Sequence, residues 1–351
     1  MKEEKTKALS FSMQPAPHMF SFSPPPNDPL GVLTSTARVM TDTDWVTLSP
    51  DAVQIFASAH ANDPEPVHEE DRLHCADLPP EQFYNYLLVL EALNFCFWDD
   101  EPRWRVVYQG QLHDGYWALV AALHRGIYEE GFPLWDAEFL ACISEEQVAH
   151  ILRGEARPVP LLPNRVEHLQ EAGRVLLQNW QGQFFNLVAS CSGDAAELAR
   201  KISAEFSSFQ DVASWRGEPV HLLKRAQICV ADLVRMRGDI PGGPLKNMEQ
   251  LTAFADYKVP QVMRKFGVLI PNEALAKRID DGEELLPGCE EEVALRAGTI
   301  WGCEWIARAI THIRAGSREP ATAAEVDYLL WSAGQDKTGL KPYHRTRTNF
   351  Y

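Results

Sequence analysis

From about Leu33 onward the apolar residues recur at three- and four-residue intervals, the spacing of helices that bury one face. Breaks fall at proline clusters, Pro64 to Pro66, Pro79 to Pro80, Pro158 to Pro163 and Pro241 to Pro244, where a helix interior would lose a hydrogen bond and clash with its preceding turn. One stretch departs from helical spacing: Trp104-Arg105-Val106-Val107-Tyr108, then Gln109-Gly110 and a short return to Gly115, reads as a β-hairpin. No internal repeat is visible, and no alternation of strand and helix suggests a parallel sheet. The chain is therefore expected to be mainly α with a small β-hairpin. Residues 1–32 differ, because Pro15, Pro17, Pro24, Pro25, Pro26 and Pro29 punctuate a segment with Ser and Phe. That segment is expected to be a disordered or loosely packed arm ahead of a single domain over 33–351.

Composition removes several function classes. The chain has 351 residues, 45% hydrophobic and 23% charged, which suits a globular protein with a sizeable core. The longest apolar candidate, Phe83 to Trp98, carries Asn85, Glu91 and Asn94, and the N-terminus has no basic end followed by an apolar stretch. A cytoplasmic protein without a membrane segment is expected. The 7 cysteines are scattered without a C-x-x-C pair, and the 11 histidines form no H-E-x-x-H or finger spacing, so neither disulfides nor a bound metal is expected. Gly238, Gly242 and Gly243 fall in a proline-broken turn and not in a phosphate-binding loop, which disfavours dinucleotide and ATP chemistry; no cofactor is expected. A net charge of −16 lacks the footprint of a protein that grips a phosphate backbone, so a small ligand is favoured over nucleic acid.

Within this frame the run Phe254-Ala255-Asp256-Tyr257-Lys258-Val259-Pro260-Gln261 sets one carboxylate at a helix start between two aromatic rings. Met248, Leu251 and Phe254 give helical spacing before it, and Val259, Val262, Met263 and Phe266 continue such a face after it, so Asp256 is placed at a corner between helices. Pro260 fits the first turn, where backbone N–H groups have no intrahelical acceptor. Such an Asp can be a simple N-cap; it can also face a ribose beside a stacked base.

Other clusters carry similar ambiguity. Leu93-Asn94-Phe95-Cys96-Phe97-Trp98 sets an amide among aromatic rings, either as core or as a stacking platform on which Asn94 meets a ligand. Tyr116 or Trp117 can wall a pocket or pack the hairpin on the helix that begins at Gly115. On a helix from His221 to Arg237, Arg225, Asp232 and Arg235 share a stripe that reads as a solvated ion-pair row; alternatively Lys224 or Arg225 points inward to a phosphate. Asp327, between apolar and aromatic neighbours in Glu325-Val326-Asp327-Tyr328-Leu329-Leu330-Trp331, is either an N-cap or an acceptor for a purine-like N–H and NH2 pair. The basic, aromatic segment Pro342 to Tyr351 is expected to dock.

Taken together, Leu93 to Trp98, Gly115-Tyr116-Trp117, Lys224-Arg225-Ala226-Gln227, Phe254-Ala255-Asp256-Tyr257 with Val259-Pro260-Gln261, Val326-Asp327-Tyr328 with Leu330-Trp331, and His344-Arg345-Thr346-Arg347 resemble the queuosine salvage protein family, in order over about 33–351. The resemblance implies a helical fold related to helix-hairpin-helix DNA glycosylases and hydrolysis of queuosine 5′-monophosphate to queuine and ribose 5-phosphate. It implies Asp256 as the catalytic carboxylate, Phe254 stacked on the base, Asp327 reading its polar edge, and His74, Asn94 and Trp331 among the substrate contacts. One departure is Ser332, where the family pattern places a second Asp after the Trp; Asp336 is the candidate replacement.

The chemistry suits these residues. N-glycoside cleavage develops positive charge on the ribose ring, which a carboxylate beneath C1′ stabilises while it orients or deprotonates water. A 7-deazapurine has carbon in place of N7, so leaving-group assistance must come from hydrogen bonds elsewhere on the base. Lys224, His344, Arg345 and Arg347 are the candidates for the 5′-phosphate. Two rival readings stand beside this one: a glycosylase that extrudes modified bases from nucleic acid, and a non-catalytic queuine carrier using Phe254, Trp98 and Asp327. A monomer is the expected state.

Overall fold

The computed structural model describes residues 19–237, 240 and 243–351; Pro15 and Pro17 of the arm and Gly238, Pro241 and Gly242 of the proline-broken turn lie outside the described residues. Its organising element is the helix Glu290–Arg314, 25 residues long and buried on nearly every side. An all-round apolar helix of this kind belongs inside other elements. Val32–Asp42, Pro50–His60, Lys258–Lys265 and Ala323–Ala333 pack around it, with the antiparallel pair Val46–Leu48 and Leu269–Pro271. Gly302 permits one of these approaches: a Cβ there would stand 2.9 Å from the Met263 sulfur. The helix that follows Asp256 therefore lies directly on the long helix.

A second set of helices gathers on Pro80–Ala92, which packs against Leu162–Asn179, Phe184–Ala189 and Lys224–Met236. The expected hairpin is present as Arg105–Tyr108 paired with Gln111–Asp114, closed by Gln109 (φ 49°) and Gly110 (φ 76°). Two successive positive φ values match the twist of the strands they join. It packs on the helix Tyr116–Tyr128.

Two further strand pairs carried no sequence signal: Val46–Leu48 with Leu269–Pro271, and Val212–Trp215 with Glu218–His221. Strands of three or four residues are too short to show a period, and Pro219 and Pro271 argue against strand in sequence. The helical spacing of Met248, Leu251 and Phe254 also misleads. Only Met248–Gln250 turns, as a short 3-10 helix, and residues 251–256 carry no helix. Side chains intercept the backbone here: Thr252 N–H donates to Gln227 Oε1 (2.7 Å) and Phe254 N–H to Asp327 Oδ1 (2.9 Å). Residues 20–31 form neither helix nor strand, yet Phe22 stacks on Trp305 with centroids 5.0 Å apart. The segment Pro342 to Tyr351 docks as expected, with Tyr351 buried and its carbonyl accepting from Cys96 N–H at 2.9 Å.

Candidate active site

Where the two helical sets meet lies a cavity of about 670 Å3, within the ~300–1,000 Å3 range of small-molecule sites. It brings together Asn94, Lys224, Phe254, Asp256, Asp327 and Trp331. Chain segments far apart in sequence supply them: Asn94 follows the helix Pro80–Ala92, Lys224 opens Lys224–Met236, Phe254 and Asp256 lie in the extended link, and Asp327 and Trp331 sit on Ala323–Ala333.

Asp256 both caps and faces the cavity, so the two sequence readings do not exclude each other. Its Oδ1 accepts from Lys258 N–H (2.7 Å) and Val259 N–H (2.9 Å), at the start of Lys258–Lys265, which leaves Oδ2 to meet a ligand. Burial pushes this carboxyl above the usual range, while Lys224 and the two backbone donors hold it back. Asp327 is not an N-cap: that place belongs to Thr322, and Asp327 lies a full turn inside the helix with Oδ1 bound to Phe254 N–H. Burial and then the charge of Asp256 push Asp327 up to about 8, so at neutral pH it is largely a neutral acid. In the ligand-free cavity Asp327 can therefore donate a proton, where the sequence suggested an acceptor.

Lys224 lies beneath these two carboxyls. It is 5% exposed, its Nζ donates to the Asn94 carbonyl at 3.2 Å, and its ammonium is opposed by Glu91, Asp256 and Asp327. Glu91 accepts from Asn94 Nδ2 at 2.9 Å, and burial together with nearby Asp232 pushes it up to about 8. In the sequence Glu91 reads only as an interruption of an apolar run; a carboxyl between Leu87-Leu88-Val89-Leu90 and Ala92-Leu93 is the signal for a buried partner. Opposite, Tyr328 stacks on Trp331 (6.0 Å, 14°), and Trp331 stands edge-on to Tyr116 (5.8 Å, 90°), forming an aromatic wall with Trp117. Such a wall accepts a flat ring.

A profile described as queuosine salvage protein matches residues 73–351. The chain belongs to that family. It is also similar to the queuosine 5′-phosphate N-glycosylase/hydrolase of Sphaerobacter thermophilus, 45% identical over 93% of this chain and 99% of the relative. The proteins of the same name from Mus musculus and Schizosaccharomyces pombe are 35% and 29% identical, over 77% and 74% of this chain and 82% and 77% of theirs.

The remaining residues expected from the queuosine salvage resemblance lie off the cavity. His74 stands one layer behind, its ring nitrogens bonded to the Asp71 carbonyl (3.1 Å) and to Tyr116 Oη (3.0 Å), so it orients a wall residue. His344 is buried against Tyr351 Oη at 3.3 Å, and Arg345 pairs with Asp100 at 2.9 Å. Arg347 lies over Trp98, 4.6 Å from the ring centroid, and bonds Glu284 at 3.2 Å. These side chains hold the docked segment to the body of the protein. Arg225 corrects the ion-pair reading: it is 1% exposed and donates to the carbonyls of Glu91, Ala92 and Ser208, whereas Asp232 pairs with Arg235 at 3.2 Å. Seven residues span about 10.5 Å of helix, too far for Arg225 and Asp232 to meet directly. Ser332 Oγ bonds His68 Nε2 at 3.0 Å, and Asp336 is exposed, capping Thr338 N–H at 2.9 Å, so Asp336 does not line the cavity. Among the described residues no cluster of His, Cys, Asp and Glu could hold a metal ion, and no helix is long and apolar enough to cross a membrane.

Proposed function

We propose that this protein hydrolyses the N-glycosidic bond of queuosine 5′-monophosphate, releasing queuine and ribose 5-phosphate. The observation that carries this reading is Asp256, which caps a helix with one oxygen and lines an aromatic cavity with the other, beside the neutral acid Asp327. As the glycosidic bond lengthens, Asp256 Oδ2 faces the cation developing on the ribose and orients or deprotonates water for C1′. Electrons flow to a base without N7, and Asp327 donates its proton or hydrogen bond to that base. Phe254, Tyr328 and Trp331 hold the flat ring. Lys224 favours the ionised form of Asp256 against the effect of burial. Its place among carboxyls suits that task better than phosphate binding.

The net charge of −16 supports a free nucleotide as substrate and not a polynucleotide. Its cysteines, free throughout the described residues, support a reducing, cytoplasmic setting; we take the working unit to be a monomer. The test is chromatographic detection of queuine after incubation with queuosine 5′-monophosphate. Release by the wild type and not by Asp256→Asn is expected; bound but intact substrate with the wild type would leave a carrier, and overturn the hydrolase.

A further inference from the structure

We infer that Glu91 and Asp232 hold one proton between them behind the cavity, and that this carboxyl pair is a positioning element for the reaction: it fixes the Asn94 side chain and leaves the charge of Lys224 to Asp256. This rests on the hydrolase reading above. Glu91 is fully buried at the end of the helix Pro80–Ala92, where that helix packs on Lys224–Met236. On the second helix Lys224, Ile228 and Asp232 recur every four residues and line the cavity as one stripe. Eight residues span about 12 Å of helix, so Lys224 and Asp232 do not pair directly. The carboxyl of Glu91, coming from the neighbouring helix, faces Lys224 and is in hydrogen-bonding contact with Asp232. Two ionised carboxylates in contact repel, and burying either is costly unless its oxygens are satisfied. Glu91 Oε2 has a donor, Asn94 Nδ2 at 2.9 Å; Oε1 is buried and has none. Asp232 Oδ1 accepts from Arg235 Nε at 3.2 Å. A proton on Glu91 Oε1, donated to Asp232, removes the repulsion and completes both groups in a charge-assisted bond.

The groups facing the pair agree with one shared proton. Arg235 serves Asp232, and its Nη1 also donates to Asp71 Oδ1 at 3.3 Å and to Tyr328 Oη at 3.1 Å. Arg225 is taken up by the backbone carbonyls of Glu91, Ala92 and Ser208, not by the Glu91 side chain. His74 is neutral because burial lowers its pKa, and burial keeps Tyr86, Tyr116 and Cys229 neutral by raising theirs. At Glu91 itself burial, then the charge of Asp232, outweighs the pull of Lys224. Among the buried groups the two cations Lys224 and Arg235 are thus matched by the two anions Asp256 and Asp232, with Glu91 and Asp327 neutral. An ionised Glu91 would compete with Asp256 for a single ammonium, and Asp256 would then take up its proton at higher pH.

The test compares the wild type with Glu91→Gln and Glu91→Leu. Glutamine copies the protonated acid, donating one N–H to Asp232 and accepting from Asn94 Nδ2; leucine is equally uncharged but makes neither bond. In the infrared difference spectrum at neutral pH, Glu91→Gln should remove a protonated-carboxyl C=O band from the wild-type spectrum. Glu91→Leu should lower kcat about tenfold to a hundredfold as Asn94 and Lys224 lose their places. Glu91→Gln should recover most of that loss, with the acid limb of its pH–rate profile where the wild type has it. Asp232→Asn changes the acceptor and should shift or remove the same infrared band, which decides the matter should Glu91→Gln fail to fold. Loss of a carboxylate band in Glu91→Gln, a downward displacement of its acid limb, a band unmoved by Asp232→Asn, or full turnover by Glu91→Leu would overturn the inference. Failure of the hydrolase reading looks different: the wild type would release no queuine, whatever the infrared bands.

Discussion

Arg296 Nε donates to the Ala255 carbonyl at 2.9 Å, so the long helix holds the backbone immediately before Asp256. The same guanidinium grips Asp211 through both terminal nitrogens, at 2.9 and 2.5 Å, and Asp211 Oδ2 accepts the Lys224 N–H at 3.1 Å. Asp256 and Lys224, on separate segments, therefore hang from one buried ion pair. Replacing Arg296 by Met leaves Asp211 buried and unpaired, a loss of about 3–5 kcal/mol. The denaturant midpoint should fall accordingly, and turnover should fall even where the protein remains folded.

Asp256→Asn should abolish turnover by at least the ~10²–10³-fold typical of one preorganised electrostatic group, with little change in Tm. An amide oxygen can still accept from Lys258 and Val259 N–H. Asp256→Ala loses the cap as well, and should cost about 1 kcal/mol more in stability. The contrast between the two, read by melting and by queuine release, separates capping from chemistry.

Lys224→Met should impair nucleotide and nucleoside alike, because Lys224 is the main influence holding Asp256 down against burial. Without it the carboxyl stays protonated to higher pH, so the acid limb of the pH–rate profile should move upward. A loss confined to the nucleotide, with the acid limb unmoved, would instead mark Lys224 as a phosphate ligand.

Turnover should be bell-shaped in pH. It falls in acid as Asp256 gains a proton, and falls above about 8 as Asp327 loses the one it donates. Asp327→Asn should remove the alkaline limb along with most activity. Its stability effect has a definite sign. Folding raises this carboxyl from the usual ~3.9, so its contribution is most favourable below that value and is lost progressively as pH rises to about 8. The Tm advantage of Asp327→Asn over the ligand-free wild type should therefore grow across that window.

Gly302→Val should crowd the Met263 sulfur, which would lie 2.9 Å from the new Cβ. Overpacking of this kind costs about 1–3 kcal/mol. Because Met263 is on the helix that Asp256 caps, the KM for the nucleotide should rise together with the loss in Tm.

The sequence exposes groups whose surroundings contradict their chemistry. Asp256 and Asp327 stand among aromatic and apolar neighbours and were legible; so were Lys224 at an apolar helix start and the hairpin at Gln109-Gly110. That Arg103 and Lys337 line the cavity was not legible, since a cation in a loop looks like any solvated side chain until the fold sets it beside another. The basic segment of His344 and Arg345 suggests an anion in sequence; in the structure its partners are Asp100, Glu284 and the rings of Trp98 and Tyr351. The short strands and the unwound link at 251–256 depend on side-chain donors and acceptors far away in sequence, which periodicity cannot register.

The cavity draws on Asn94, Lys224, Asp256 and Asp327, separated by long intervals of chain. Bringing them together requires closing several loops, each with its own entropic cost, before any contact in the cavity is made. Helical signal should therefore return early in refolding and turnover late. A fragment that lacks any one of these segments should carry no activity, and queuine release is in effect a report on how they are held together.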